Sequence, residues 1–593
     1  MLRWDDSTDG WRWMLALGAL LAVIVFCYTL VLDLPLLDPD EGLHASIAQE
    51  MVERGDWLTP RLVGRPFLDK PILYFWAEAL SLRLLGMREA AVRFPGLMFG
   101  LLGAVTTAAV GWRMFSRSVG LLAGMFYATM ILPAALAQAP VHDVALIPCV
   151  NLALLWFWES DRAAGWKTEL KYALAIGVLL GLACLTKGLA GVGLIGVAYG
   201  GYLLVSGRLT AAACIWATAA LAVALLVASA WYVPVELHNP GYLHYYFVDR
   251  HLLGYTTSTQ RHGDAPWWYY LPILLGGGLP WIAYVPVVVQ DGWARYGRPH
   301  NHTWGGWLKL CWGRLFARPR WNRPPHSSPS GAMVLLWCWL LGCTVFLSAS
   351  YSKLVTYIWP VFPAVAILAA VAWAGLLEGT LSRPARRLML LIFRLSSLGA
   401  VALPPAAMLV AQSEFTVRFG WQVWTVIILV AVSAWIPLAF LSAGWFRATL
   451  SSSLLSVAAQ YVAVMTLAAP PLAAATSSWE LARHFNRLGR VPPRVLMAEA
   501  RVGSLVFYLK PELRAGLQEG QLEELRLREW GRFAGPPPGA VVVLPERLAY
   551  RGARYFDLKG APYCRAGPYR VYDASVLQAR HLTAAAGSGA SRR

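Results

Sequence analysis

The chain has 593 residues, of which 57% are hydrophobic, and a mean hydropathy of +0.49, above the roughly 45 to 50% apolar content of soluble domains. A soluble fold has nowhere to hide that surface, and apolar runs of about 20 residues, long enough to cross a hydrocarbon core, recur up to Ala469. The net charge of +18 does not indicate a nucleic-acid binder, because the lysines and arginines sit in short loops between apolar runs and not on one soluble face among stacking aromatics.

The first apolar run, Trp13 to Leu32, is too long for a signal-peptide core and is followed by no small-residue cleavage site, so it reads as a retained span. A long polar loop, 33–88, comes next. Further spans are expected near 89–111, 118–138, 142–159, 170–187, 188–206, 211–233, 268–290, 333–349, 354–376, 387–411, 421–442 and 447–468. That makes 13 spans. The positive charges of alternate loops, densest in the run that includes Arg298, Lys309, Arg314 and Arg320, assign those loops to the cytoplasm. The opposite side then receives the 33–88 loop, the turn at His142 and Asp143, Lys187, the 234–267 loop, the turn Ser350 to Lys353 and everything after Ala469.

Beyond Ala469 the apolar runs shorten and charge rises. SSWELARHF has helical spacing with Ser477 or Ser478 as N-cap, RVLMAE and AVVVLPE read as short strands, and GPPPG is a loop. The expected fold is therefore an all-α polytopic membrane protein, residues 1–469, followed by a small α/β domain, 470–582, and a disordered tail from 583. Five of the eight cysteines fall inside apolar spans, and no metal or disulfide spacing appears.

Chemistry-bearing residues concentrate in the first long loop. From Asp40 onward, Leu43, Ile47, Met51 and Val52 follow helical spacing, which predicts an amphipathic helix on the membrane surface. Asp40 and Glu41 stand in its first turn, where acids also complement the helix dipole. Adjacent helical positions diverge by about 100 degrees, so the two carboxylates do not both face one reacting centre. A second helix, PILYFWAEALSLRLL, follows Asp69, a candidate cap, and Lys70.

The string DPDEGLHASIAQEMVERGDWLTPRLVGRPFLDKPILYFW resembles the first periplasmic loop of the membrane glycosyltransferases of the GT-C type. That family includes the protein O-mannosyltransferases and the 4-amino-4-deoxy-L-arabinose lipid A transferase. The acid pair, the gap to GDW and the [DE]-K-P triplet occur together, and LACLTKGLAG, YYFVDRH with PWWYYLP, and SKLVTYIWPVFPA add to the likeness. The resemblance implies a polyprenyl-phosphate-linked sugar as donor, an acceptor at the periplasmic surface of a bacterial inner membrane, and a C-terminal domain on that same side. It implies Asp40 as the base, with Glu41 as fallback, Asp143 as an acid that shapes the site, and Lys70 as the phosphate-binding lysine.

Lys187, Arg250, Lys353 and Tyr357 are further donor-binding candidates, although lysines at span ends also snorkel. Asp69 and His251 match an acid and a histidine that together bind a metal ion in the family; two ligands alone do not make a zinc site, and the reaction requires no cofactor. The chain departs from the family where an arginine often follows this histidine, since Gly254 and Tyr255 stand there; Arg250 or Arg261 is the substitute. Lipid A, another envelope glycan and a protein hydroxyl all remain open as acceptors. A transporter or flippase is the rival from another class, but such proteins place ionisable residues near the bilayer midplane, and here they crowd one surface.

Overall fold

The computed structural model describes residues 18, 19, 22, 23, 25–163, 165–257, 265–296, 329–409, 414–526, 539–548 and 562–573. Two compact units emerge, and they divide the chain differently from a plain N-terminal and C-terminal split. One comprises Met1–Leu32, Leu68–Ala77 and Arg93–Ala468; the other gathers Asp33–Phe67 and Glu78–Val92 with Ala469–Arg593.

The first unit is helical. Among the described residues of the chain, eight helices are long and apolar enough to cross a membrane, or nine if a bent pair counts as one span. The four expected spans missing from that count have separate causes. The 13–32 segment lies partly outside the described residues, and 188–206 is the 17-residue helix Leu189–Val205. The 387–411 segment largely coincides with helix Arg383–Leu409, whose side chains from 401 on lie outside the described residues. The 118–138 segment breaks at Met130, whose extended backbone separates Arg117–Thr129 from Ile131–Leu136.

The bent pair is Tyr270–Gly277 with Trp281–Arg295, turned by 98°. Its hinge is the run Gly276-Gly277-Gly278-Leu279-Pro280, where glycine supplies no side chain to stiffen the helix and proline no N–H to continue it. Within a bilayer, freed backbone groups must find partners in the protein. The two breaks supply each other: Ile131 N–H donates to the Leu279 carbonyl at 3.3 Å, and Trp281 Nε1–H donates to Thr129 Oγ1 at 2.8 Å. Phe126 stacks on Trp281 at 3.9 Å and closes the junction. The basic loop lies mostly outside the described residues.

The second unit is built on a five-stranded sheet in the order Leu522–Leu525, Arg494–Ala498, Ala540–Pro545, Tyr569–Asp573, Cys564–Ala566. The first three strands are parallel and the last two antiparallel to their neighbours. The strands RVLMA and AVVVLP are buried almost throughout, as expected for strands covered on both faces. Helix Trp479–Leu488 follows Ser478, but the Ser478 hydroxyl does not cap it.

The same unit contains helix Asp40–Arg54, and here the surface-helix expectation needs correction. Residues Glu41 to Gln49 are all buried, polar His44, Ser46 and Gln49 included, so the helix is enclosed on nearly every face. One face lies on helix Gly503–Tyr508 at backbone contact: a Cβ on Gly503 would meet Leu43 N at 2.3 Å, and one on Gly42 would meet Ser504 N at 2.2 Å. Glycine at both positions is therefore a packing requirement. Gly503→Ala is expected to destabilise this unit by about 1–3 kcal/mol through overpacking, read as faster limited proteolysis of the sheet. Gly516→Ala, whose Cβ would meet nothing closer than Glu512 O at 3.5 Å, serves as the control and should be nearly neutral.

Candidate active site

In the helical unit, the ends of three apolar helices and the chain around Lys70 bring expected residues together. Asp143 opens helix Asp143–Arg162 and Lys187 closes helix Trp166–Lys187. Their side chains form a buried ion pair, with only 11% of the lysine and 7% of the aspartate side chain exposed. Lys187 Nζ also lies 4.0 Å from the centre of the Tyr357 ring, a cation–π contact that strengthens as water is removed. The Thr356 side chain also lies near Asp143. Lys70 is within electrostatic reach of Asp143, Lys187, Tyr357 and His251. Two lysines to one carboxylate bias this cluster positive.

The backbone at Lys187 explains the Thr-Lys-Gly sequence. Gly188 has φ +63, and a Cβ there would meet His251 Nε2 at 2.5 Å, so glycine both permits the left-handed turn and admits the imidazole. The His251 Nδ1 lies 2.8 Å from Tyr246 O and its Nε2 3.3 Å from Lys187 O. Desolvation, with help from the charges of Lys70 and Lys187, holds this imidazole below its ordinary value. The neutral ring carries one N–H, and the shorter contact assigns it to Nδ1.

Asp69 is not a helix cap. Its Oδ1 accepts from the Tyr245 hydroxyl and from Arg250, whose Nη2 lies 2.5 Å away, and Arg250 Nε reaches Tyr245 Oη at 2.8 Å. Desolvation raises the Asp69 carboxyl, but the Tyr245 and Arg250 hydrogen bonds with the charges of Arg250 and Lys70 outweigh it and hold the group below the usual carboxylate range. Asp69 thus holds a guanidinium, and both His251 nitrogens face carbonyl oxygens. The pair does not form a ligand set as arranged, and among the described residues no group of three or more His, Cys, Asp or Glu is disposed to hold a metal. Lys353 is buried and bonds the Ser350 carbonyl within its own turn; desolvation lowers its ammonium. No described contact joins it to the Asp143–Lys187 cluster.

In the second unit, Asp40 and Glu41 occupy different surroundings, in line with their divergent helical positions. Asp40 is exposed, while Glu41 is buried and its Oε2 accepts from Leu37 N–H at 2.7 Å. Sequence reasoning missed two nearby acids. Asp38 accepts from Ser504 N–H at 3.3 Å, from the Ser504 hydroxyl, and from Ser478 Oγ at 3.0 Å; desolvation still pushes it up to about 6. Glu78 is fully buried, and desolvation followed by the charge of Glu41 raises its carboxyl well above the usual range. Tyr245 and Thr356 were also missed, although both lie in strings that carry the resemblance.

A mutational cycle tests the ion pair. Asp143→Asn strands a buried lysine and is expected to cost about 3–5 kcal/mol, seen as a lower apparent melting temperature in detergent. Adding Lys187→Met should recover most of the loss; a double variant no more stable than the single one contradicts the pairing.

Known proteins resemble the chain in sequence and in fold. Residues 69–233 match the model of the dolichyl-phosphate-mannose-protein mannosyltransferase family. The undecaprenyl phosphate-alpha-4-amino-4-deoxy-L-arabinose arabinosyl transferase of Aeromonas salmonicida is 29% identical over 369 residues, 62% of this chain and 60% of that protein. The Aeromonas hydrophila protein of the same name is 29% identical over 362 residues, 61% of this chain and 60% of that one. The chain thus matches about three fifths of the length of these relatives. In fold it is similar to ArnT from Cupriavidus metallidurans, crystallised with undecaprenyl phosphate, with a TM-score of 0.71 at 21% identity over 96% of this chain and 98% of that one. By sequence this multi-pass membrane protein resembles the dolichyl-phosphate-mannose-protein mannosyltransferase family and the undecaprenyl phosphate-aminoarabinose arabinosyl transferases, and by fold it resembles ArnT.

Proposed function

We propose that the chain is an inverting glycosyltransferase that moves a sugar from polyprenyl phosphate, of the undecaprenyl kind named for its relatives, to lipid A or another envelope glycan at the periplasmic face of the inner membrane. The observation that carries this reading is the buried cluster of Asp143, Lys187 and Tyr357 within reach of Lys70, whose excess positive charge suits a phosphate. The lysine and arginine bias of the loops supports placing the first loop and the residues after Ala469 on the periplasmic side. The family likeness favours an enzyme over a transporter.

In this reading the acceptor hydroxyl attacks the anomeric carbon opposite the phosphate, Asp40 takes its proton, and the carbon–oxygen bond to the carrier breaks with its electron pair passing to the phosphate oxygen. Phosphate is already a good leaving group, so the second carboxylic acid that glycoside hydrolysis needs is dispensable. Charge gathers on the phosphate as the bond breaks, and Lys70 and Lys187 stabilise it. Arg250, held by Asp69 and Tyr245, and Tyr357 contribute to donor binding. Asp143 fixes Lys187, and the reaction needs no metal. Asp40, exposed on its helix, is better suited to meet an acceptor than Glu41, which is occupied by a backbone amide.

A protein serine or threonine as acceptor is the second reading, favoured by the family model that residues 69–233 match. Mass spectrometry of envelope lipids and glycoproteins from cells carrying the normal gene or Asp40→Asn separates the two. A sugar-sized mass lost from lipid A supports the first reading and a loss from glycoproteins the second. Unchanged profiles with the variant present in the membrane would overturn both.

With purified protein, Asp40→Asn is expected to lower kcat by about 10²–10⁴ while leaving undecaprenyl phosphate binding intact. Lys70→Met should instead weaken that binding by about 10-fold or more, the loss of a charge-assisted contact of about 1.5–3 kcal/mol. Equal effects of the two variants on binding would contradict the assigned roles.

A further inference from the structure

The helix that bears Asp40 begins without a side-chain cap of its own: Pro39 occupies the N-cap position and offers none. Four N-terminal amides of a helix ordinarily need such partners, and a first turn without them frays unless something else fixes it. Two local bonds brace it, Glu41 N–H to Leu37 O at 3.1 Å and Leu37 N–H to Glu41 Oε2 at 2.7 Å, and contacts from residues far along the chain add to them. Asp38 takes hydrogen bonds from Ser504 and Ser478, and Ser478 Oγ lies 3.2 Å from Tyr569 Oη on the sheet. Leu36 N–H donates to Tyr508 Oη at 2.9 Å, and Ser46 Oγ donates to Gly503 O at 2.6 Å. The glycine pair 42 and 503 lets the two helices touch along their backbones.

These anchors flank Asp40 on both sides in sequence, at 36, 38, 42 and 46, and leave Asp40 itself exposed, its side chain making no hydrogen bond to any described residue. The partners all belong to one short stretch, 503–508, and to Ser478. A domain that merely covered the protein would have no reason to meet the acid helix through a carboxylate enclosed by two serines. Of the three acids in Asp38-Pro39-Asp40-Glu41, the first is committed to the C-terminal sheet domain and fixes the start of the turn that presents the second.

We propose that Asp38 is a positioning residue: through Ser504 and Ser478, the C-terminal α/β domain holds the first turn of helix Asp40–Arg54 and so sets the orientation of Asp40. The domain is then part of the catalytic apparatus. This rests on Asp40 being the base, and the test separates the two ideas.

Hydrogen exchange on the full chain in nanodiscs reads the anchor without any turnover. In Asp38→Ala, and separately in the Ser478→Ala/Ser504→Ala variant, amides of residues 40–46 should exchange at least tenfold faster than in the unaltered chain, with the strand Arg494–Ala498 unchanged. Unchanged exchange at 40–46, or acceleration spread equally through the sheet, overturns the proposal. Turnover is then measured with undecaprenyl phosphate-α-4-amino-4-deoxy-L-arabinose and lipid A. Asp38→Ala should lose at least tenfold in kcat with donor KM and undecaprenyl phosphate binding within threefold of normal, and Asp38→Asn, which keeps an oxygen for the Ser504 N–H, should recover part of the loss. A kcat within twofold of normal, or a fall in kcat matched by lost donor binding, overturns the positioning role. If the unaltered chain transfers no sugar to lipid A or protein while the exchange result holds, the functional reading fails and the anchor stands.

Discussion

A lysine at the end of an apolar helix must either reach water or find a counter-charge, and Lys187 does the latter. Its pairing with Asp143 decides much about the helical unit. The interaction forces helix Trp166–Lys187 to end level with the start of helix Asp143–Arg162, and the left-handed Gly188 turns the chain at once into helix Leu189–Val205. A buried pair of this kind is weak evidence for stability, because desolvation consumes most of the Coulombic gain. Its value lies in the charged groups it keeps at a fixed place in a medium where ionisable residues are rare and usually functional.

The same scarcity of water shapes the irregular parts. Helices that break inside an apolar scaffold leave amides and carbonyls open, and the breaks at Met130 and at the triple glycine answer one another across their junction. Asn151 does similar work between spans, donating to Thr106 Oγ1 at 2.9 Å and Thr107 Oγ1 at 3.0 Å. Polar contacts between helices matter because lipid offers no competing partner and little hydrophobic drive for association.

Hydropathy alone revealed the polytopic helical architecture and the change of character after Ala469, since both are written in run length and charge density. The two buried strands RVLMA and AVVVLP were legible for the same reason. The span count was not, because a window of apolar residues reads the same whether the helix is continuous, bent at Gly276–Pro280 or interrupted at Met130. The candidate site was legible as a set of residues but not as a set of partners. Asp69 sits where a helix cap or a metal ligand would, yet it binds a guanidinium 181 positions away, a pairing that no local pattern encodes. The helix Asp40–Arg54 looked amphipathic because Leu43, Ile47 and Met51 recur at helical spacing; burial of its polar face follows from glycines at 42 and 503, which lie 461 residues apart.

The acids of the first loop show how environment divides labour among like groups. Asp38 is enclosed by serines, Glu41 is bound to a backbone amide, and Glu78 is fully buried where desolvation and the charge of Glu41 favour its protonated form. Each of these three spends its oxygens or its charge on the protein's own interior. Of the four acids Asp38, Asp40, Glu41 and Glu78, Asp40 alone stands exposed. Where several carboxyl groups lie close together, surroundings that drive their proton affinities apart are what assign them separate roles. A base that must meet an incoming acceptor has to remain accessible, and rigid neighbours that are themselves unavailable for proton transfer make that accessibility selective. The cost of burying Glu78 and half-burying Asp38 is thus intelligible as the cost of leaving one acid of these four free to react.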